Sequence, residues 1–329
     1  MAEKVKKAEN ENANTLSKVF SKSDLMKQLS NFLAREKPNG YSINLEGIDK
    51  LIRFETGRLC VITGIPQSGK SEVIDFFNIR LNQLYGWKCL YFSPENYPTG
   101  VYHLHKLLCK HRQEKVSFSD MITSNYANDI DYLTNNFYFL NYEIVNDIDA
   151  ILEEAQILIE KEDIKILTID PYNRLEHQYT GYNETQYISS FLDKLTKFAQ
   201  KNDILINLAA HPTKQKEGEK LTGYSICGSH NFFAKADYMY SIKRNFDSGT
   251  IDFETIKVKF KTLGLVGICQ LRYDFKSGNY YEVNKDKYDA TACIPDLETV
   301  NDSGDKEVLE KMREQMKMFV INEKAIRNE

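Results

Sequence analysis

Along the chain, apolar and polar positions fall into three regimes. From Ser23, "SDLMKQLSNFLAREK" sets Leu25, Met26, Leu29, Phe32 and Leu33 on one stripe of a helix, and Pro38-Asn39-Gly40 ends it. From residue 41 to about 283, short apolar runs alternate with amphipathic stretches, the pattern of an α/β domain built on a mostly parallel sheet. Beyond Tyr240 the pattern changes to strands expected to be antiparallel: "DYMYSIKR", "DFETIKVKF", "GICQLRYD" and "NYYEV". The turns "DSG" and "KSG" join the first pair and the last pair. Residues 1–16 are charged, rich in asparagine and expected to be disordered. The tail holds a helix at about 305–322, with Val308, Leu309, Met312, Met316 and Phe319 as its apolar set. The division that follows is 1–40, a tail and linker helix; 41–284, the α/β domain; and 285–329, a C-terminal tail. A helix set apart by a breaker must bury its stripe on its own core or on a neighbouring subunit, and the pattern leaves both open.

Four of the apolar runs end in polar chemistry. "RLCVIT" ends at a glycine-lysine loop, "KCLYFSPE" at Glu95, "IKILTID" at Asp170 and "ILINLAAH" at His211. Open α/β sheets bind ligands beyond the carboxyl ends of their strands, so these four ends are expected to share one edge as an active site. The loop runs Gly64, Ile65, Pro66, Gln67, Ser68, Gly69, Lys70, Ser71 and fits G-x-x-x-x-G-K-[ST] position by position. In such a loop backbone N–H groups turn onto phosphate oxygens, the lysine reaches the outer phosphates and the serine hydroxyl ligates magnesium. ATP and Mg2+ are therefore the expected ligands, with Asp170 orienting the metal's water shell beside Ser71. Glu95 is then free to polarise a water for attack on the γ-phosphate, and His211 to sense that phosphate. A kinase needs a hydroxyl-acceptor pocket, of which the sequence carries no sign, so hydrolysis is expected.

Composition narrows the partners. The chain has 329 residues, 42% hydrophobic and 27% charged, enough for one large domain with extensions. Its net charge of −4 gives no global basic field, so a polyanion must meet a local basic patch. Six scattered cysteines without a C-x-x-C pair argue against a zinc ribbon or a disulfide framework; Cys60 and Cys89 lie in apolar runs and read as buried thiols. No run reaches the ~18 apolar residues of a membrane span, and the N-terminus does not read as a signal peptide. A cytoplasmic protein with no membrane partner is expected.

Taken in order, these segments resemble the motor domain of the RecA-like hexameric replicative helicases, the group of DnaB, Twinkle and the phage primase-helicases. "YSINLEGIDKLIRFETGRLCVITGIPQSGKSE" is similar to the family's lead-in and first motif, including an element from Leu45 to Asp49. "YFSPENYP" is similar to the segment of the catalytic glutamate, at Glu95. "LTIDPYN" matches the second nucleotide motif, and "AAHPTK" the segment whose histidine, here His211, senses phosphate. "ICGSHNFFAKAD" resembles a DNA-contacting motif, and "KVKFKTLGLVGICQLRYD" the segment carrying a finger that acts on the neighbouring subunit. The resemblance covers about residues 40–283. It implies a RecA-like P-loop core, a homo-oligomer of hexamer type, single-stranded DNA as partner, a primase or polymerase as a further one, and a helix at 23–36 that docks on the next subunit. Two positions depart from the family: Lys259 stands where it has an arginine, and Ala234 where it has a glutamine.

Basic loop residues mark a path for DNA. "PTKQKEGEKLTGY" supplies Lys214, Lys216 and Lys220, with Arg174, Asn231 and Lys235 as further candidates. Tyr172 and Phe232 are open to either base stacking or a core role. A ring-forming helicase moving on single-stranded DNA is the leading expectation. A RecA- or KaiC-like ATPase of recombination or regulation is a second, and a nucleotide-gated scaffold or loader a third.

Overall fold

The apolar runs become strands with both faces covered. A computed structural model describes residues 19–34, 37, 39–96, 99–177, 183–212, 222, 225–226, 230–246 and 248–283. Of these, 39–283 form one compact unit, while 19–34 and 37 belong to another. The larger unit holds helix α2 (Glu46–Leu51), strand β1 (Arg58–Thr63), α3 (Lys70–Tyr85), β2 (Lys88–Phe92) and α4 (Thr99–Arg112). Then follow α5 (Ala127–Asn136), β3 (Phe137–Phe139), α6 (Ile148–Glu162), β4 (Ile164–Ile169), α7 (Glu184–Asn202) and β5 (Leu205–Ala209). Last come α8 (Asn231–Lys235), β6 (Tyr238–Asn245), β7 (Thr250–Val258), β8 (Gly267–Tyr273) and β9 (Tyr280–Glu282).

The strands form one sheet in the order β3-β2-β4-β5-β1-β6-β7-β8-β9. Every pairing from β3 to β6 is parallel, and those from β6 to β9 are antiparallel. The expected change of direction is present, but β6 takes part in both regimes. A long crossover from β5 returns the chain parallel to β1, and a tight turn then sends β7 back. Short β3 caps one edge, an element the hydropathy pattern does not announce.

The two-residue period of the strands divides the core. Leu59 and Val61 of β1 face the layer of α6 and α7, with Ile169, Ile206, Phe191 and Leu195. Cys60 and Ile62 face α3 and α4, with Tyr91, Phe77, Leu107 and Tyr240. Each fully buried large side chain of this kind contributes about 1.5–3 kcal/mol. Cys60, Cys89, Cys109 and Cys269 are buried free thiols, as expected of the first two; Cys227 and Cys293 lie outside the described residues.

α3 is buried on nearly every side, so it is not amphipathic, and it carries polar residues inward. Asn78 donates to the Tyr91 hydroxyl (2.8 Å) and the Thr168 hydroxyl (3.0 Å), and accepts from Asn207 (3.1 Å). One asparagine thus ties the helix behind the phosphate loop to β2, β4 and β5, the strands that lead to Glu95, Asp170 and His211.

In the smaller unit, α1 (Lys22–Leu33) begins at Ser21, whose side chain accepts from the Asp24 N–H while Asp24 accepts from the Ser21 N–H. Along its stripe Leu25 is 53% and Phe32 41% exposed, whereas Leu33 is buried. Among the described residues no helix is long and apolar enough to cross a membrane. The expected disorder at 1–16 and the tail helix at 305–322 lie outside the described residues.

Candidate active site

β2, β4, β5 and β1 are consecutive in the sheet, and their carboxyl ends are level. Asp170 N donates to Phe92 O and Ala210 N to Ile62 O, each at 2.9 Å, as the strands finish. Beyond them opens a cleft of about 680 Å³ lined by Pro66 to Glu72, Glu95, Asp170 and His211. The residues expected to carry nucleotide chemistry are brought together there.

The loop is built for close approach. A Cβ on Gly64 would lie 2.5 Å from the Ile242 carbonyl oxygen and 2.6 Å from Ser68 Oγ, so only glycine fits. Gly69 (φ 95°) turns the chain into α3, whose amino end faces the cleft. Lys70 Nζ donates to the carbonyls of Gly64 (2.8 Å) and Ile65 (3.1 Å). Burial lowers its pKa, against the opposing pull of the Asp170 and Glu95 carboxylates.

Burial raises the Asp170 carboxyl above its ordinary value, while a hydrogen bond from Ser71 works the other way. That hydroxyl–carboxylate pair, beside the loop, is a suitable anchor for magnesium. Among the described residues no three His, Cys, Asp or Glu side chains form a metal cage. A cation here would draw its other oxygens from phosphate and water, the coordination magnesium prefers. The buried Thr63 Oγ1, Ser68 Oγ and His211 Nδ1 have no hydrogen-bond partner among the described residues, which fits a polar ligand at the loop. Burial, then the Lys70 charge, holds the His211 pKa below its ordinary value, so the ring is neutral at pH 7. Glu95 lies on a single turn, Pro94–Asn96, and its Oε1 accepts from Arg174 Nε at 3.1 Å.

The far wall of the cleft is Arg244, Ile251, Tyr273, Phe275 and Tyr280, from the antiparallel strands and their turns. The Arg244 guanidinium stands 5.4 Å from the centre of the Phe275 ring, and Tyr273 packs at 5.0 Å from both Phe275 and Tyr280. Sequence reading missed this wall, because alternating aromatics there look like ordinary strand packing. The available signal was Arg244 followed by aromatics around the two hairpin turns.

Comparison with known proteins bears on this geometry. No family model matches the chain. It is 33% identical over 281 residues to the chloroplastic/mitochondrial Twinkle homolog protein of Arabidopsis thaliana, a match covering 80% of this chain and 39% of that protein. The chain thus spans about two fifths of that relative's length. The ATPase domain of G40P superposes with a TM-score of 0.65 at 13% identity, over 81% of this chain and 100% of that one. A DnaB-like replicative helicase, studied with its interactions with primase, gives 0.62 at 14%, over 86% and 72%. The chain is thus similar in sequence to part of a Twinkle homolog and shares the fold of these two ATPase domains.

Within this domain the other candidates are placed as follows. Lys259 Nζ pairs with Asp237 Oδ1 at 2.8 Å, and Asp237, fully buried, also accepts from Leu59 N at 3.1 Å. Leu59 is at the start of β1 and the phosphate loop follows its end, four residues or about 13 Å away. Lys259 therefore lies on the opposite sheet edge from the loop of its own chain. Lys257 Nζ donates to the Phe233 and Ala234 carbonyls at the end of α8. Of the DNA candidates, Arg174 is at Glu95, Asn231 donates to the Thr185 carbonyl (3.1 Å), and Lys235 pairs with Asp193. Lys214, Lys216 and Lys220 lie outside the described residues. Tyr172 and Phe232 are both buried, Tyr172 packing on Phe232 and on Phe191, so of their two readings the core role holds.

Proposed function

We propose that this motor domain forms a ring that hydrolyses ATP, moves along single-stranded DNA and parts duplex DNA in replication. The convergence of Lys70, Ser71, Glu95, Asp170 and His211 on one cleft carries the reading. The triphosphate lies along the backbone of residues 64–71, and Lys70 turns from its two carbonyls to the outer phosphates. The base packs on the wall of Arg244 and Tyr273, which offers a cation and an aromatic face. Magnesium at Ser71 and Asp170 supplies neutralisation of phosphate charge. Glu95 takes a proton from water as the water oxygen bonds to the γ-phosphorus and the bond to the ADP oxygen breaks. An N–H of the neutral His211 ring donates to the γ-phosphate.

The proposed assembly is a homohexamer in which α1 docks on the next subunit, a reading supported by the exposure of Leu25 and Phe32. Lys259 then enters the neighbour's cleft. Its position away from its own loop supports that role. DNA runs past Lys214, Lys216 and Lys220, with Arg174, Asn231 and Lys235 nearby in the path, and a primase or polymerase is the proposed partner.

The test is ATP-dependent separation of a forked duplex, alongside phosphate release with and without single-stranded DNA. Native mass measurement, on the chain and on a version lacking residues 1–38, accompanies it. DNA-stimulated hydrolysis, strand separation and loss of the oligomer on truncation are expected. Strand pairing without separation would replace this reading with a recombinase-like one, and nucleotide binding without turnover with a scaffold.

A further inference from the structure

Arg174 is not needed by the chemistry proposed above, yet it holds the residue that chemistry depends on. It closes the turn Tyr172–Arg174, which follows directly on Asp170 and Pro171 after β4 ends at Ile169. Tyr172 anchors that turn in the core against Phe191 and Phe232, and Asn173 Oδ1 accepts from His211 N at 3.4 Å. From this fixed base the Arg174 side chain reaches out, 62% exposed, and its Nε donates to Glu95 Oε1. Glu95 is itself 47% exposed. Both partners are thus within reach of a ligand on the surface of the domain.

We propose that Arg174 is a positioning residue that restrains Glu95, and that single-stranded DNA relieves the restraint by drawing the guanidinium onto a backbone phosphate. The inference rests on the proposed role of Glu95 in hydrolysis. A carboxylate oxygen that accepts from a guanidinium is turned toward the arginine rather than toward a water. An exposed ion pair of this kind is weak, so it biases Glu95 by a factor of about two to five and no more. A phosphodiester offers two oxygens that match the planar fork, a stronger partner than the single contact to Glu95. DNA and Glu95 therefore compete for one group, and occupancy of the DNA path becomes legible at the nucleotide.

Steady-state phosphate release by Arg174→Ala, Arg174→Lys and wild type, with and without oligothymidylate, tests this. Titration with a fluorescent ATP analogue accompanies it. Arg174→Ala should raise the DNA-free rate about threefold and lower the stimulation ratio by a similar factor, at unchanged nucleotide affinity. Arg174→Lys, which keeps the charge, should fall between. A DNA-free rate that is unchanged or lower overturns the restraint, even where DNA binding is weakened, because Arg174 would then be a phosphate contact only. A raised DNA-free rate with the stimulation ratio intact overturns it as well. Wild type that hydrolyses no ATP in either condition overturns the parent reading along with this one, whereas an active wild type beside an indifferent Arg174→Ala overturns this one alone.

Discussion

At the scale of single residues, the cleft separates groups held inside the loop from a carboxylate outside it. Lys70 is buried within the loop and already donates to two of its carbonyls, so its ammonium is aimed by the backbone that would hold the phosphates. Glu95 is outside the loop and half exposed, within reach of a water rather than of the phosphates' cradle. Lys70→Ala should therefore weaken ATP binding and abolish turnover. Glu95→Gln should keep ATP binding and slow turnover by about 10²–10⁴, the usual contribution of a positioned acid or base. Nucleotide titration and phosphate release on the two variants check this. A Glu95→Gln protein that turns over at the wild-type rate would remove Glu95 from the reaction.

At the scale of elements, α3 and α4 are joined by a buried charge network just behind the loop. Asp75 accepts from His103 Nε2 (2.8 Å) and Lys106 (2.9 Å), while Glu72 pairs with Lys106 (2.9 Å) and Lys110 (2.6 Å). Lys110 also donates to the Gly278 carbonyl, and the Tyr273 hydroxyl to Glu72, so the same network braces the wall of the cleft. Burial alone would raise the Asp75 carboxyl, but His103 and Lys106 outweigh it and hold it well below the ordinary carboxylate value of 3.8. A group whose folded-state pKa is depressed contributes stability that is present above its unfolded value and lost as pH falls through the folded one. Acid unfolding should thus draw on Asp75 only below about pH 4. Asp75→Ala removes a buried partner of His103 and Lys106 and should cost about 3 kcal/mol, with a flatter acid limb of stability. Urea unfolding of wild type and variant across pH 3–7 reads both effects, and an unchanged midpoint would mean the network relaxes without it.

At the scale of the whole molecule, the two sheet edges have different duties. One carries the loop and the carboxylates; the other carries Lys259, paired with Asp237 and proposed to act in the cleft of a neighbouring subunit. Arginine fingers contribute roughly 10³–10⁵ in rate, and lysine, a point charge without the planar fork, should contribute less. Lys259→Ala should keep nucleotide affinity and assembly but lose most DNA-stimulated turnover, whereas Lys259→Arg should match or exceed wild type. Mixing Lys259→Ala with Glu95→Gln subunits should restore partial activity, since some interfaces then pair an intact Glu95 with an intact Lys259. If mixtures stay inactive while subunits exchange, low doping of each variant into wild type separates a misassigned Lys259 from firing that must pass through every subunit.

Much of this was legible in the sequence because it is local. The loop from Gly64 to Ser71, and strands that stop at Glu95, Asp170 and His211, follow from short patterns of apolar run, glycine and terminal polar residue. The parallel-then-antiparallel order followed from the spacing of runs and turns. What required the tertiary structure was everything that depends on pairing across long separations. That β2, β4, β5 and β1 are neighbours, that Asn78 ties three of them to one helix, and that Lys110 meets Gly278 across 168 positions are not properties of any local window. The same holds for the wall of Arg244, Tyr273 and Tyr280, whose aromatics alternate like any strand until the meander folds them over the loop. Arg174 reads as one more basic loop residue; only the meeting of two strand ends, 79 positions apart in the chain, sets it against Glu95. Local patterns specify which backbone conformation each segment takes and which residues stand at its ends. Burial of the two sheet faces then selects which ends come together, and the chemistry of the cleft is decided there.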